Sequence, residues 1–212
     1  WWDVLGGDRE LFLLAVRDDD GCLAGIAPLY REKTAEGKSV LRLVGGVELC
    51  DYLDIIITRG KEKEVYGAFL DVLADISWDT VEFHCVPESS PLRSLLEPIA
   101  RSKGFSMEWE VEEVCPLVRL PSTWEEYLAS LGRKERHEIR RKLRRMKGVD
   151  SHWYFVRDEG LLDAEMEDFF RLHSLSSGEK EDFMSDPAVR EFFRQVAHAT
   201  FKAVSYTHLR AH

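Results

Sequence analysis

Apolar and polar positions alternate along the first sixty residues in the manner of strands. Leu11 to Val16 is an apolar run that ends at Asp18-Asp19-Asp20-Gly21, and Asp-Gly is a strong reversal signal. Cys22 to Tyr30 reads as the returning strand of an antiparallel hairpin. Val40 to Val44 predicts a third strand, closed by Gly45-Gly46, and Tyr52 to Thr58 a fourth, with Ile55-Ile56-Ile57 at its centre. The period then changes. Val65, Ala68, Phe69, Val72 and Leu73 recur at helical spacing over Glu62 to Ala74. Thr80 to Val86 alternates again as a strand. Pro91 to Lys103 reads as a helix that Pro98 splits or kinks and Gly104 closes. Phe105 to Leu120 is expected to be largely extended.

A second regime begins at Pro121. Ser122-Thr-Trp-Glu125 has the form of a capping box, opening a helix that carries Trp124, Leu128 and Leu131. Gly132 separates it from a basic helix running from Arg133 to about Lys147. Trp153 to Val156 is strand-like. Leu161 to Leu175 is a helix with Met166, Phe169, Phe170 and Leu172 inward, and Ser185-Asp186-Pro187 opens another. A domain boundary is placed near 116–122, giving an N-terminal domain over 1–116 and a second over 117–202. Residues 203–212 continue no period and are expected to be a non-native tail. The fold class is mixed α/β.

Composition narrows the function. No apolar run approaches the length of a membrane span, and a cytoplasmic location is expected. Cys22, Cys50, Cys85 and Cys115 lie far apart and form no C-x-x-C pair. They read as reduced, buried thiols, with no metal site. The net charge of −10 argues against a general nucleic-acid binder.

That charge is unevenly spread. Arg133, Lys134, Arg136, Arg140, Arg141, Lys142, Arg144, Arg145 and Lys147 surround a thin apolar stripe of Ile139, Leu143 and Met146. Three readings stand side by side. One is a site for the phosphates of a small molecule, another a nucleic-acid backbone, and the third a solvated face neutralised by Glu110, Glu112 and Glu113. Arg133, Lys134, Arg136 and Arg140 are the candidate anion-binding edge, facing a cleft between the domains. Asp51, Tyr52 and Asp54 follow the Gly pair at the mouth of a strand. Carboxylates there either hold an amine or satisfy the turn's own backbone; this loop is the candidate opposite wall. Arg101-Ser-Lys-Gly104-Phe-Ser106 has the letters of a pyrophosphate loop, but a helix precedes it where one should follow. His84 and His152 read as structural. His173, beside the apolar face of its helix, is a further candidate.

Three stretches taken in order resemble a known family. They are Asp51-Tyr52-x-Asp54 after the Gly pair, Trp124-x-x-Tyr127-Leu128-x-x-Leu131 running into Arg133-Lys-x-Arg136, and Phe170-x-Leu172-His173. Together they resemble the two-domain GNAT acyltransferases described as CelD-like, related to the Fem-type peptidyltransferases. The resemblance implies two GNAT-like domains, each a twisted mixed sheet flanked by helices, the second truncated here before its CoA pyrophosphate loop. It implies acetyl-CoA or another acyl-CoA as co-substrate and a small-molecule, glycan or peptide amine as acceptor. The implied chemistry is attack of that amine on a thioester, braced by backbone N–H groups and needing no Ser or Cys nucleophile. The alternative is a non-catalytic module that binds an anionic glycan or phosphorylated ligand through the basic helix, with nucleic acid behind it.

Overall fold

The computed structural model describes residues 1–47, 49–149 and 154–202. It is a mixed α/β protein in which a mixed sheet is flanked by helices. A short helix α1 (Trp2–Leu5) precedes the hairpin of β1 (Glu10–Arg17) and β2 (Leu23–Lys33), which pair antiparallel from Glu10↔Arg31 to Arg17↔Leu23. Asp18 builds the turn: its backbone carbonyl accepts the N–H of Gly21 and its carboxylate that of Cys22, each at 2.9 Å. The far edge of β2 is shared end to end. β4 (Ile56–Ile57) pairs with Gly25 and Ile26, and β3 (Ser39–Leu43) with Leu29 to Lys33. β5 (Thr80–Glu82) then joins β3 in parallel, Val40↔Thr80 to Arg42↔Glu82.

Helix α2 (Glu62–Asp75) buries Val65, Tyr66, Phe69, Leu70 and Leu73. Ala27, Leu29, Leu41 and Leu43 of the sheet belong to the same core, as do Leu92, Leu96 and Ala100. Each such aliphatic or aromatic side chain contributes about 1.5–3 kcal/mol when fully buried. Gly25 sets the approach of α2, since a Cβ there would lie 2.6 Å from Val65 Cγ1. The opposite face carries Tyr30, on which Trp1 stacks at 5.7 Å, and α1 in turn lies against α8 (Pro187–Lys202).

Several boundaries differ from expectation. The fourth and fifth strands are cut to two and three residues, because pairing partners exist only there. Pro98 does not sit inside one helix: a π-helical turn over Leu92–Leu96 hands over to α3 (Glu97–Ser102), and Pro98 falls in α3's first turn, where a missing N–H costs nothing. Residues 106–121 pair with no strand and are mostly exposed. The capping box belongs to Thr123 and Glu126, one residue later than read, at the start of α4 (Trp124–Ser130). The expected strand at Trp153 to Val156 begins outside the described residues, and 154–156 form none.

After α5 (Arg133–Met146) come α6 (Leu162–Ser174), α7 (Gly178–Ser185), capped by Ser177, and α8. Phe170, Met184 and Val189, one from each of these last three helices, form a second apolar cluster separate from the sheet's. Arg190 and Arg194 lie over the Phe170 ring at 4.9 and 5.3 Å, and Glu167 binds both guanidinium groups. The tail 203–212, with its expected non-native origin, lies outside the described residues, as does His152.

Candidate functional site

Helix α5 forms because Glu135 reaches back to the N–H of Gly132 at 3.0 Å and because its long side chains cost little rotamer freedom in a helix. Arg133, Lys134, Arg136 and Arg140 are brought together, lining one open depression with His137 and Glu138. Arg133, Lys134 and Arg140 are exposed; Arg136 is half-buried and donates to the carbonyl of Leu131 at 3.1 Å. Its Nε is buried without a partner.

Among the described residues the ion pair on α5 is Arg141 with Glu138, at 2.6 Å, and it holds the Glu138 carboxyl below its ordinary value. The reading in which Glu110, Glu112 and Glu113 neutralise the face is not what the structure shows: Glu112 is committed to His84 and Cys85, and among the described residues Glu110 and Glu113 pair with no cation of α5. The apolar stripe is also only loosely covered. Ile139 is half-buried, whereas Leu143 is 36% and Met146 61% exposed.

The second candidate lies at the carboxyl ends of the parallel neighbours β3 and β5, where loops of α/β sheets commonly gather ligands. Gly45 and Gly46 leave β3 with φ of +136° and +69°. A Cβ on Gly45 would lie 2.9 Å from Cys50 Sγ and 2.7 Å from Leu53 Cδ2, so glycine lets the loop fold onto itself. Asp51 and Tyr52 are exposed. Asp54 is half-buried, accepts the N–H of Ile55 at 2.8 Å, and adds its charge to the burial that raises the hydroxyl pKa of Tyr66. The N–H of Leu53 donates to the carbonyl of Cys85 at 3.1 Å, tying this loop to the one after β5.

The sequence reading missed what that tie assembles. Cys50, Cys85 and Cys115 come to the same end of the sheet, and Tyr52 lies beside Cys115. Cys85 holds φ at +55°, a left-handed conformation uncommon for a side-chain-bearing residue. Cys22 and Cys115 are exposed and Cys50 and Cys85 half-buried, so the expectation of buried thiols is corrected; all four are free. Burial first, then neighbouring carboxylates, pushes the Cys50 and Cys85 thiols up, which disfavours thiolate chemistry. Among the described residues no His, Cys, Asp and Glu side chains gather as a metal-holding group. No spacing in the chain signals this cluster, because the parallel crossover over residues 44–79 creates it.

An alternating ladder of charge leads to it across the sheet. Arg9 pairs with Glu32 at 2.9 Å, Glu32 with Arg42, Arg42 with Glu82 at 2.7 Å, and Glu82 lies 3.6 Å from His84. His84, read as structural, is its last rung before Glu112.

None of Asp51, Tyr52, Asp54 and His173 lines the depression on α5. His173 is half-buried, lies tilted against Phe169 with ring centres 5.5 Å apart, and keeps a buried Nδ1 without a partner among the described residues. The pyrophosphate-like letters Arg101 to Ser106 lie at the C-terminal end of α3, so no helix N-terminus faces them.

Compared with known families, residues 133–211 match the model of the acetyltransferase (GNAT) domain. No curated protein and no solved structure matches the chain.

Proposed function

We propose that the chain is part of an N-acyltransferase that moves an acetyl or other acyl group from acyl-CoA to a substrate amine. The observation that carries the reading is the GNAT domain match over 133–211, which starts at the first residue of the cationic helix α5. It implies acyl transfer; the donor, the acceptor and the residue roles are the proposal.

The exposed guanidinium groups of Arg133 and Arg140, which pair with no carboxylate among the described residues, fit the phosphates of such a co-substrate, with Lys134 beside them and Arg136 anchoring the helix start. When bound, the co-substrate supplies an acyl thioester and a thiolate leaving group. Asp51, Tyr52 and Asp54 are assigned to hold the acceptor amine, and His173 to bind substrate on the second apolar cluster. The reading keeps a division near 116–122, an N-terminal GNAT-like domain, a second domain from 117, and a cytoplasmic site of action. Among the described residues no helix is long and apolar enough to cross a membrane.

The cations of α5 that have no carboxylate partner among the described residues favour one rival: a non-catalytic module that binds an anionic glycan or phosphorylated ligand. Incubation of a full-length version with acetyl-CoA and a panel of amines, following thiol release, separates the two. Amine-dependent thiol release supports the enzyme. Calorimetric binding of phosphorylated ligands with no thiol release and no CoA binding supports the module.

A further inference from the structure

The C-terminal half of α5 has a composition that phosphate recognition at Arg133 to Arg140 leaves unexplained. From Ile139 to Val149 the chain contains six Lys and Arg and no Asp or Glu. Met146 and Val149 are 61% and 62% exposed, and Leu143 36%. At about 100° per residue, Leu143 and Met146 lie about 60° apart on one side of the helix. Lys142 and Lys147 then flank their midpoint at about 70° on either side, and Arg144 and Arg145 lie over the top. An apolar centre bordered on both sides by long cationic stems suits a planar interface: the stems reach up to anionic headgroups while the methyl-rich centre enters the acyl boundary. A soluble phosphate ligand has no use for the apolar centre. A nucleic-acid backbone would leave it facing water, and α5 carries no Phe, Tyr or Trp ring on which bases could stack.

We infer that residues 142–149 are a docking surface for an anionic phospholipid membrane, with α5 lying in the headgroup plane. Charge complementarity selects the occupant. The chain as a whole carries a net charge of −10 and is repelled by such a surface, so attraction is confined to this patch and fixes which side of the protein faces the bilayer. The inference does not depend on acyl transfer, and the residues that test it lie outside the proposed substrate edge.

The test is co-sedimentation of the whole chain with vesicles of phosphatidylcholine mixed with phosphatidylglycerol, against phosphatidylcholine alone. Binding is expected to the mixed vesicles only, and to weaken as salt rises above about 0.1 M. The double variant Lys142→Ala/Lys147→Ala should bind about thirtyfold more weakly, and Met146→Ser about tenfold; circular dichroism verifies that each variant keeps its helix. Equal binding to neutral vesicles, or none to anionic ones at about 0.1 M salt, overturns the inference. Duplex DNA binding that matches the vesicle affinity and is indifferent to Met146→Ser assigns the patch to nucleic acid and overturns it as well.

Discussion

Glu112 accepts the peptide N–H of Cys85 through Oε2 at 2.8 Å, while its other oxygen meets His84 Nδ1 at 2.5 Å. One carboxylate on a mostly exposed segment that joins no strand thus helps to fix the loop after β5. The Cys85 N–H, and after it the His84 hydrogen bond, holds the Glu112 carboxyl below its ordinary value of 4.5. A depressed carboxyl contributes stability above its unfolded-state value, and that contribution fades as pH falls through the folded one. The side chain is 37% exposed, so solvent screening keeps the effect below about 1 kcal/mol. Glu112→Ala should cost about 1 kcal/mol in urea unfolding at neutral pH, and Glu112→Gln less, because the amide still accepts the N–H. Equal losses would show that the charge, not the acceptor, matters.

Gly45→Ala should destabilise the fold by about 2–4 kcal/mol, since the new methyl group meets Cys50 and Leu53 in a backbone conformation that only glycine occupies freely. Denaturant unfolding measures it. A loss within about 0.5 kcal/mol, the range of an ordinary surface substitution, would mean that the loop is not held as described.

Burial, and then the charge of Asp54, pushes the Tyr66 hydroxyl from 10.0 up to about 12. The folded state therefore holds this proton where the unfolded chain has lost it. Stability should fall by about 2–3 kcal/mol as pH rises from 10 to 12. Tyr66→Phe should abolish that slope. Thermal unfolding across this alkaline range decides it.

Arg136 and Arg140 should separate. Arg140→Ala touches no structural bond and should leave stability unchanged while weakening a phosphorylated ligand by roughly 1–3 kcal/mol. Arg136→Ala should also cost about 1 kcal/mol of stability, because it frees the Leu131 carbonyl at the end of α4. Calorimetry with acetyl-CoA, paired with urea unfolding, reads both.

His198 Nε2 lies 2.9 Å from Asp163, and its Nδ1 lies 3.7 Å from Glu159, which also pairs with Lys202. The Asp163 hydrogen bond raises the imidazole above its ordinary 6.5. A raised histidine stabilises fully below its unfolded value, and that stability is lost as pH rises through the folded one. The melting temperature should therefore decline from pH 6.5 upward in the native chain, and His198→Gln should flatten the decline. Parallel declines in both would remove His198 from the account.

The helices were legible because their apolar residues repeat locally. Val65, Phe69 and Leu73 of α2 are buried as read, and Asp18 to Gly21 form the hairpin turn. Tyr66 and Leu70 were not read as core, because the second face of α2 is buried by the π-helical turn at Leu92, which local periodicity does not carry. Helix α7 was invisible: its buried Met184 and half-buried Phe183 are adjacent and show no period. Alternation at Val81, Phe83 and Cys85 suggested a strand to Val86, but β5 ends at Glu82 and Cys85 turns left-handed. The four cations at the start of α5 could be placed from spacing alone. The meeting of Cys50, Cys85, Cys115 and His84 could not, since it depends on which strand lies beside β3.

That neighbour also sets the order in which the chain can assemble. β1 and β2 are joined by a tight turn and can zip within microseconds. β5 reaches β3 only after the crossover over residues 44–79 has closed, bringing Asp79 to the N–H of Ser39 and Glu82 to Arg42. Refolding should thus show an early hairpin and a later step paced by the closing of that crossover. Until it closes, the open edge of β3 is exposed to pairing with other chains.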